Sequence, residues 1–228
     1  MSLIVSRHAC ALAEKLVATL PSGRSALFNP WVDRCPDDEE WNGPDAKLGR
    51  LIHHLDCDPR LILIGEAPGY QGCRHSGIAF TSERLLLEGK IPRMRPLPGR
   101  LTHRSRPFSE PSATIVWGAL SRLGLQDQTI LWNAVQLHPH PPGDTQANRT
   151  PTPDELFLGK PALQILLEAF PAASVIAVGK KAGDLLSQMG VRPDATLRHP
   201  ANGGATLFSR GLQDFVATLQ ETGYGSNA

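Results

Sequence analysis

Runs of aliphatic residues divide the chain into short segments that are expected to be buried strands. The clearest run is Leu61–Ile64, which leads into a glycine-rich loop that begins at Gly65. Further strand candidates cover 129–135 and 173–179, which are largely apolar, and a short one covers 195–198. An uninterrupted apolar run is typical of a strand buried on both faces of a parallel sheet. The pattern therefore predicts four strands.

Between these runs, apolar residues recur at intervals of three and four, the spacing of amphipathic helices. The predicted helices cover 8–20, 48–55, a stretch from 109 or 111 to 123, 161–170, 180–189 and 210–219. Strands that alternate with helices predict an α/β fold, a three-layer sandwich in which a mainly parallel four-stranded sheet has helices on both faces. His53 and His54 are expected on the outer surface of the second helix, as a partly solvated pair and not a metal site.

The composition fits a single globular domain. Of the 228 residues, 41% are hydrophobic and 20% are charged. We expect a helical N-terminal portion over 1–59, a core over 60–220 and a frayed tail over 221–228. The four cysteines include no close pair, and no apolar run reaches the roughly 18 residues of a membrane span. These features predict a cytoplasmic monomer that does not bind membranes.

Positive charge is concentrated in one proline-rich segment. Between 90 and 106 the chain has no acidic residue but carries Lys90, Arg93, Arg95, Arg100, Arg104 and Arg106. Its prolines exclude a helix or an inner strand, so we expect an exposed loop. Such a loop either contacts nucleic-acid phosphates or is simply solvated. The formal net charge of +1 excludes neither nucleic acids nor small anions as partners.

Residues with useful chemistry follow the ends of all four predicted strands. Since the carboxyl ends of parallel strands meet at one edge of a sheet, we expect these side chains to lie together there. In chain order they are Glu66, with its loop to Phe80, then Asn133, Lys180, Lys181 and His199.

In this order, the strand ends resemble the motifs of the uracil-DNA glycosylase superfamily. The resemblance covers about residues 60 to 210. The matching motifs are Gly65-Glu66-Ala67-Pro68-Gly69, Ser76-Gly77-Ile78-Ala79-Phe80, Trp132-Asn133-Ala134-Val135, Val178-Gly179-Lys180-Lys181-Ala182 and His199-Pro200-Ala201-Asn202. The resemblance implies a monofunctional glycosylase that hydrolyses the bond between deoxyribose and a deaminated base, with uracil the first expectation. Its partner is DNA, single- or double-stranded, and its product is an abasic site.

The resemblance also implies a role for each of the matching residues. Phe80 would stack on the flipped base, and Asn133 would offer an acceptor and a donor to the uracil edge. His199 would donate to O2 of the departing base, with help from backbone N–H groups of the Glu66-Ala67 loop, and so act as a catalytic residue. The expected DNA contacts come from Lys180, Lys181, Arg93, Arg95 and Asn202.

Two positions depart from the motifs found in some members of the superfamily. Ala67 stands where some members have an aspartate that orients the attacking water, which leaves Glu66 as the candidate catalytic carboxylate or as a structural one. Gly69 stands where uracil-specific members have a tyrosine, so either Tyr70 takes that position or the pocket accepts larger bases such as hypoxanthine or xanthine.

Three further expectations concern cofactors, the DNA stack and activity. Without a close cysteine pair we expect no iron–sulfur cluster, no metal and no other cofactor. Leu207 or Phe208 is the candidate for a wedge into the DNA stack. The alternative function is a DNA- or nucleotide-binding relative that keeps the pocket but has little or no hydrolytic activity.

Overall fold

The computed structural model describes residues 5–24 and 26–224. The helices are α1 (Arg7–Ala18), α2 (Pro44–Leu55), α3 (Cys73–Ser76), α4 (Glu83–Leu87), α5 (Pro111–Arg122), α6 (Pro153–Ala169), α7 (Lys180–Gln188) and α8 (Ala205–Tyr224). The strands are β1 (Leu27–Phe28), β2 (Leu61–Gly65), β3 (Thr129–Asn133), β4 (His138–Pro139), β5 (Ser174–Val178) and β6 (Ala195–Leu197). Among the helices described, none is long and apolar enough to cross a membrane.

Four strands form one all-parallel sheet in the order β3-β2-β5-β6. The central strand β2 pairs with β3 from Leu61 opposite Thr129 to Gly65 opposite Asn133, and with β5 on its other side. The predicted α/β fold with a parallel four-stranded sheet is therefore confirmed, and the four carboxyl ends lie at one edge. Strands β1 and β4 form a separate antiparallel pair, too short to leave a periodic pattern.

Alternate residues of β2 point into two separate hydrophobic cores, which explains why the whole strand is apolar. Ile62 and Ile64 pack into the core shared with α1, α2, α6 and α7. Leu61 and Leu63 pack into the core shared with α4, α5 and α8. Helices thus cover both faces of the sheet, as the alternation of strands and helices predicted.

The ends of several helices differ from the prediction, most clearly those of α6 and α8. Helix α6 begins at Pro153, earlier than the predicted 161, because Thr152 and Glu155 form a capping box and Pro161 is accommodated within the helix. Helix α8 continues to Tyr224, so the predicted frayed tail is helical over 221–224. The rest of that tail, 225–228, lies outside the described residues.

The predicted solvated histidine pair is wrong for His54. Its side chain is fully buried, and its Nε2 accepts a hydrogen bond of 2.8 Å from the backbone nitrogen of Leu131. Burial, with Arg93 nearby, lowers the pKa of His54 to about 3, so the ring is neutral. His54 is therefore a packing residue that ties α2 to β3.

Candidate active site

A cavity of about 430 Å³ opens at the carboxyl edge of the sheet. It brings together strand-end residues that the sequence pattern placed at this edge: Glu66, Ala67, Phe80, Asn133, Lys181 and His199. The start of α5 and a loop that the motifs did not point to complete its wall with Glu110, Pro111, Ser112, Asn148, Arg149 and Thr150. The cavity therefore combines the predicted residues with a second set from elsewhere in the chain.

Asn133 and Phe80 meet over Gly65, whose lack of a side chain makes their approach possible. A Cβ at Gly65 would lie 2.7 Å from both Asn133 Oδ1 and Phe80 Cζ. The carboxamide of Asn133 forms no hydrogen bond with any other described residue, although the residue is only 5% exposed. Phe80 has a φ of 49°, a conformation that non-glycine residues rarely adopt. An aromatic ring and an unpaired carboxamide thus lie side by side in the cavity.

The geometry of His199 fixes which ring nitrogen carries the proton. Its Nδ1 accepts a hydrogen bond of 3.2 Å from the backbone nitrogen of Ala201, so the neutral ring carries its hydrogen on Nε2. Burial and the nearby Arg198 lower the pKa of His199, which keeps the ring neutral at neutral pH. Its ring centroid lies 6.5 Å from that of Phe80. His199 therefore supplies an Nε2–H donor next to the aromatic ring.

Glu66 is paired with a lysine from the neighbouring strand end. Lys181 Nζ lies 3.7 Å from Glu66 Oε1 and donates a hydrogen bond of 2.8 Å to Thr150 Oγ1. The Glu66 side chain is 28% exposed and the Lys181 side chain 65% exposed, so solvent screens the pair. Glu66 is thus a half-exposed carboxylate at the mouth of the cavity and not one buried by loop amides.

Helix α7 begins at the same edge with an uncapped amino terminus. Gly179 precedes it with a φ of 96° and makes no side-chain cap, and Lys180 is exposed. Helix amino termini attract anions because of their free N–H groups and the helix dipole. Asn202, also exposed, occupies a turn beyond His199 with a φ of 52°. This rim is suited to a phosphate group.

Glu110 is the site residue with the most unusual environment. It immediately precedes α5, and its Oε2 is buried without a hydrogen-bond partner among the described residues. Burial raises the pKa of the Glu110 carboxyl to about 7. The available sequence signal, an acidic residue directly before Pro111 at a helix start, indicates a cap and gave no reason to place Glu110 in the cavity.

Comparison with known proteins places the chain in a family. The sequence model described as Uracil DNA glycosylase superfamily matches residues 52–221. The chain belongs to the uracil-DNA glycosylase superfamily. Among solved structures, wild-type SMUG2 of Pedobacter heparinus is similar, with a TM-score of 0.62 and 14% identity over 92% of this chain and 98% of that chain. At this identity the likeness shows a shared fold. No curated protein matches.

Within this superfamily site, the structure does not show the alternative in which Tyr70 takes the position of Gly69. Tyr70 does not line the cavity, and its ring packs edge-on against Phe108 with centroids 6.1 Å apart. Its backbone nitrogen donates a hydrogen bond of 2.9 Å to Asn148 Oδ1, which fixes the loop. Gly69 and Gln71 line the cavity on either side of it. Tyr70 is therefore a packing residue outside the cavity in this structure.

Arg93, a predicted DNA contact, does not lie at the cavity. Its guanidinium donates hydrogen bonds to backbone carbonyls, including those of His54 at 3.0 Å, Asp127 at 2.7 Å and Thr129 at 3.1 Å. Thr129 begins β3, so this arginine lies at the amino edge of the sheet, opposite the cavity. Arg93 joins loops of the glycosylase fold because those carbonyls need donors.

Arg95 is exposed and also lies away from the cavity. With burial, its charge lowers the pKa of His53 in the last turn of α2, which places it near that helix end. A contact between Arg95 and DNA stays a prediction, and the position of the cavity does not support it.

A buried charged cluster includes His75 of the short helix α3. Lys47 Nζ and His75 Nδ1 each lie 2.6 Å from a different oxygen of Asp38. The thiol of Cys35 is close, since one ligand atom each from Cys35, Asp38 and His75 lies within 4.8 Å of the other two. The His75 ring also stacks on Phe108 at 4.5 Å. The cluster therefore connects α2 to the segment that follows the first glycosylase motif.

Proposed function

We propose that this protein is a monofunctional DNA glycosylase that removes a deaminated base, uracil in the first instance, and leaves an abasic site in DNA. The observation that supports this most is the pocket itself, in which an unpaired Asn133 carboxamide, the Phe80 ring and the Nε2–H of His199 converge. Membership of the superfamily supports DNA repair chemistry in general.

Each group fits one part of a flipped uracil. The Phe80 ring provides a face on which the base stacks, and Asn133 can accept from N3–H and donate to O4. Cytosine presents the opposite pattern at these two atoms and would leave the carboxamide unsatisfied. The Nε2–H of His199 can donate to O2, where negative charge develops as the glycosidic bond breaks. Recognition and stabilisation of the leaving base thus come from separate strand ends.

DNA is the proposed partner, with its backbone at the rim of the cavity. Lys180, Lys181 and the amino terminus of α7 would hold a phosphate next to the flipped nucleotide, and Asn202 lies on the same rim. Because Tyr70 does not reach the cavity, we propose that hypoxanthine and xanthine are also accepted. Such a pocket would discriminate between bases less strictly than one in which a side chain packs against C5 of uracil.

The direct test uses labelled single- and double-stranded oligonucleotides that carry uracil, hypoxanthine, xanthine or mismatched thymine. After incubation, alkali cleaves any abasic site, and strand scission is measured on a gel. We expect scission at uracil, at hypoxanthine and at xanthine, and none in the normal duplex. If no oligonucleotide is cut at high protein concentration but labelled DNA is retained in a salt-dependent way, the alternative is favoured: a DNA-binding relative whose Ala67 reflects lost hydrolysis.

Gly65→Ala is expected to reduce excision about tenfold or more. The new Cβ would press on Asn133 Oδ1 and on Phe80 Cζ, each 2.7 Å away, and overpacking of this kind costs about 1–3 kcal/mol. Excision rates under single-turnover conditions measure the effect. Gly49→Ala is the matched control, since a Cβ at Gly49 meets no atom within 4 Å. Equal rates for both variants would show that Gly65 does not set the pocket's shape.

A further inference from the structure

The cavity contains a second carboxyl group that the motifs did not indicate. Glu110 lines the cavity from the start of α5, on the same wall as Pro111 and Ser112. Its Oε2 is buried and has no hydrogen-bond partner in the part of the chain that the structure describes. A buried polar atom without a partner costs free energy, so such an atom in a substrate pocket points to a partner that arrives with the ligand.

The surroundings of Glu110 hold the carboxyl group in place without pairing it. A Cβ at Gly72 would lie 1.8 Å from Glu110 Oε2, so the carboxyl group packs directly on the Gly72 backbone. Burial accounts for the raised pKa of this carboxyl, about 7, and no cation among the described residues offsets it. A general base is most effective when its pKa is near the working pH. Glu110 is thus suited to exchange a proton at neutral pH.

The other carboxylate in the site is less suited to this task. Glu66 is paired with Lys181 at the mouth of the cavity and is partly exposed. The neighbouring Ala67, which stands where some members have an aspartate, has no polar side chain. The first motif therefore provides no carboxylate at residue 67. Glu110 provides one from a different element of the fold, the start of α5.

We propose that Glu110 is the general base that orients the hydrolytic water and accepts its proton, an inference that rests on the proposed glycosylase function. In this step the water oxygen forms a bond to C1′ of the sugar. The C1′–N bond breaks, and its electron pair leaves with the base, whose O2 accepts the Nε2–H hydrogen bond of His199. The proton of the water passes to a Glu110 carboxylate oxygen. No metal ion or other cofactor takes part in this balance.

The test compares Glu110→Gln, Glu110→Asp and Glu66→Gln with the unmodified chain, under single-turnover conditions on uracil-containing DNA from about pH 5.5 to 9. The unmodified chain should gain rate as the pH rises through about 7 and then level off, because Glu110 acts when ionised. Glu110→Gln should lose about 10²- to 10⁴-fold, the usual range for general acid–base catalysis, and should also lose this rise. Glu110→Asp should keep a rise with pH at a reduced rate.

Thermal melting separates a catalytic role from a structural one. A carboxylate that is buried without a partner does not stabilise the fold, so Glu110→Gln should melt no lower than the unmodified chain at pH 8. A purely structural Glu110 would instead lower the melting temperature. Glu168→Gln, at an exposed position of α6, is the control for the substitution itself and should change neither rate nor melting.

The outcomes distinguish this inference from the function on which it rests. An unmodified chain that cuts uracil-containing DNA, together with a Glu110→Gln variant of near-native rate and unchanged pH profile, would overturn the role of Glu110 alone. Loss of the pH-dependent rise in Glu66→Gln but not in Glu110→Gln would assign the base to Glu66 and overturn it as well. An unmodified chain that cuts no substrate would overturn both proposals.

Discussion

His199→Ala and Asn133→Ala are each expected to lower the rate of uracil excision about 10²- to 10³-fold. Removal of one donor aimed at developing negative charge costs about 2.7–4 kcal/mol of transition-state stabilisation, and the Nε2–H of His199 is such a donor. Asn133→Ala removes both contacts to the uracil edge, so the variant should also lose its preference for uracil over cytosine. Single-turnover rates on the two substrates measure both effects.

Both variants should fold normally, which makes the rate loss interpretable. The Asn133 carboxamide makes no hydrogen bond within the described structure, so its loss leaves no partner unsatisfied. The His199 ring accepts one hydrogen bond, from Ala201 at a loop. His8→Ala, on the exposed face of α1, is the matched histidine control and should retain full activity. Near-native rates in both pocket variants would show that the base binds elsewhere.

The sheet could be predicted from sequence because its signal is local. The strands of the sheet coincide with the predicted runs, except that β2 extends one residue further, to Gly65. The signal is clearest in β2 and β3, which are buried along their whole length and largely apolar. The convergence of Glu66, Asn133 and His199 then followed from parallel topology, which places the carboxyl ends of the strands together. Where the signal was only two residues long, as in β1 and β4, no prediction was possible.

The rest of the site could not be predicted because its residues come from loops whose positions depend on tertiary contacts. Nothing in the sequence around Glu110 or Asn148 places either side chain at the strand ends. Arg93 lies in a basic, proline-rich segment that the sequence predicts either to contact phosphates or to be solvated, yet backbone carbonyls at the amino edge of the sheet accept hydrogen bonds from it. Likewise, His54 fits a solvated helix position by spacing alone but pairs with the Leu131 backbone.

Asp38→Asn is expected to destabilise the protein by about 3–5 kcal/mol, the usual cost of breaking a buried ion pair. The Lys47 side chain is 0% exposed and its ammonium lies 2.6 Å from Asp38 Oδ2, so the variant leaves a buried positive charge without its carboxylate. The second oxygen of Asp38 lies 2.6 Å from His75 Nδ1, so the substitution also removes the negative charge that His75 contacts. Chemical denaturation at neutral pH measures the free energy of unfolding.

The double variant Asp38→Asn/Lys47→Met separates the loss of the pair from the burial of an unpaired charge. Because Met is apolar and similar in length to lysine, it should recover much of the stability, as replacement of buried ion pairs by hydrophobic side chains often does. Glu88→Gln, which breaks an exposed pair with Arg84, should cost at most about 1 kcal/mol. A loss in Asp38→Asn as small as that of Glu88→Gln would contradict a stabilising role for the buried pair.

The Asp38→Asn substitution should also lower the rate of uracil excision. The His75 ring stacks on Phe108, against which Tyr70 packs, so loss of the Asp38 contact should loosen the loop of the first motif.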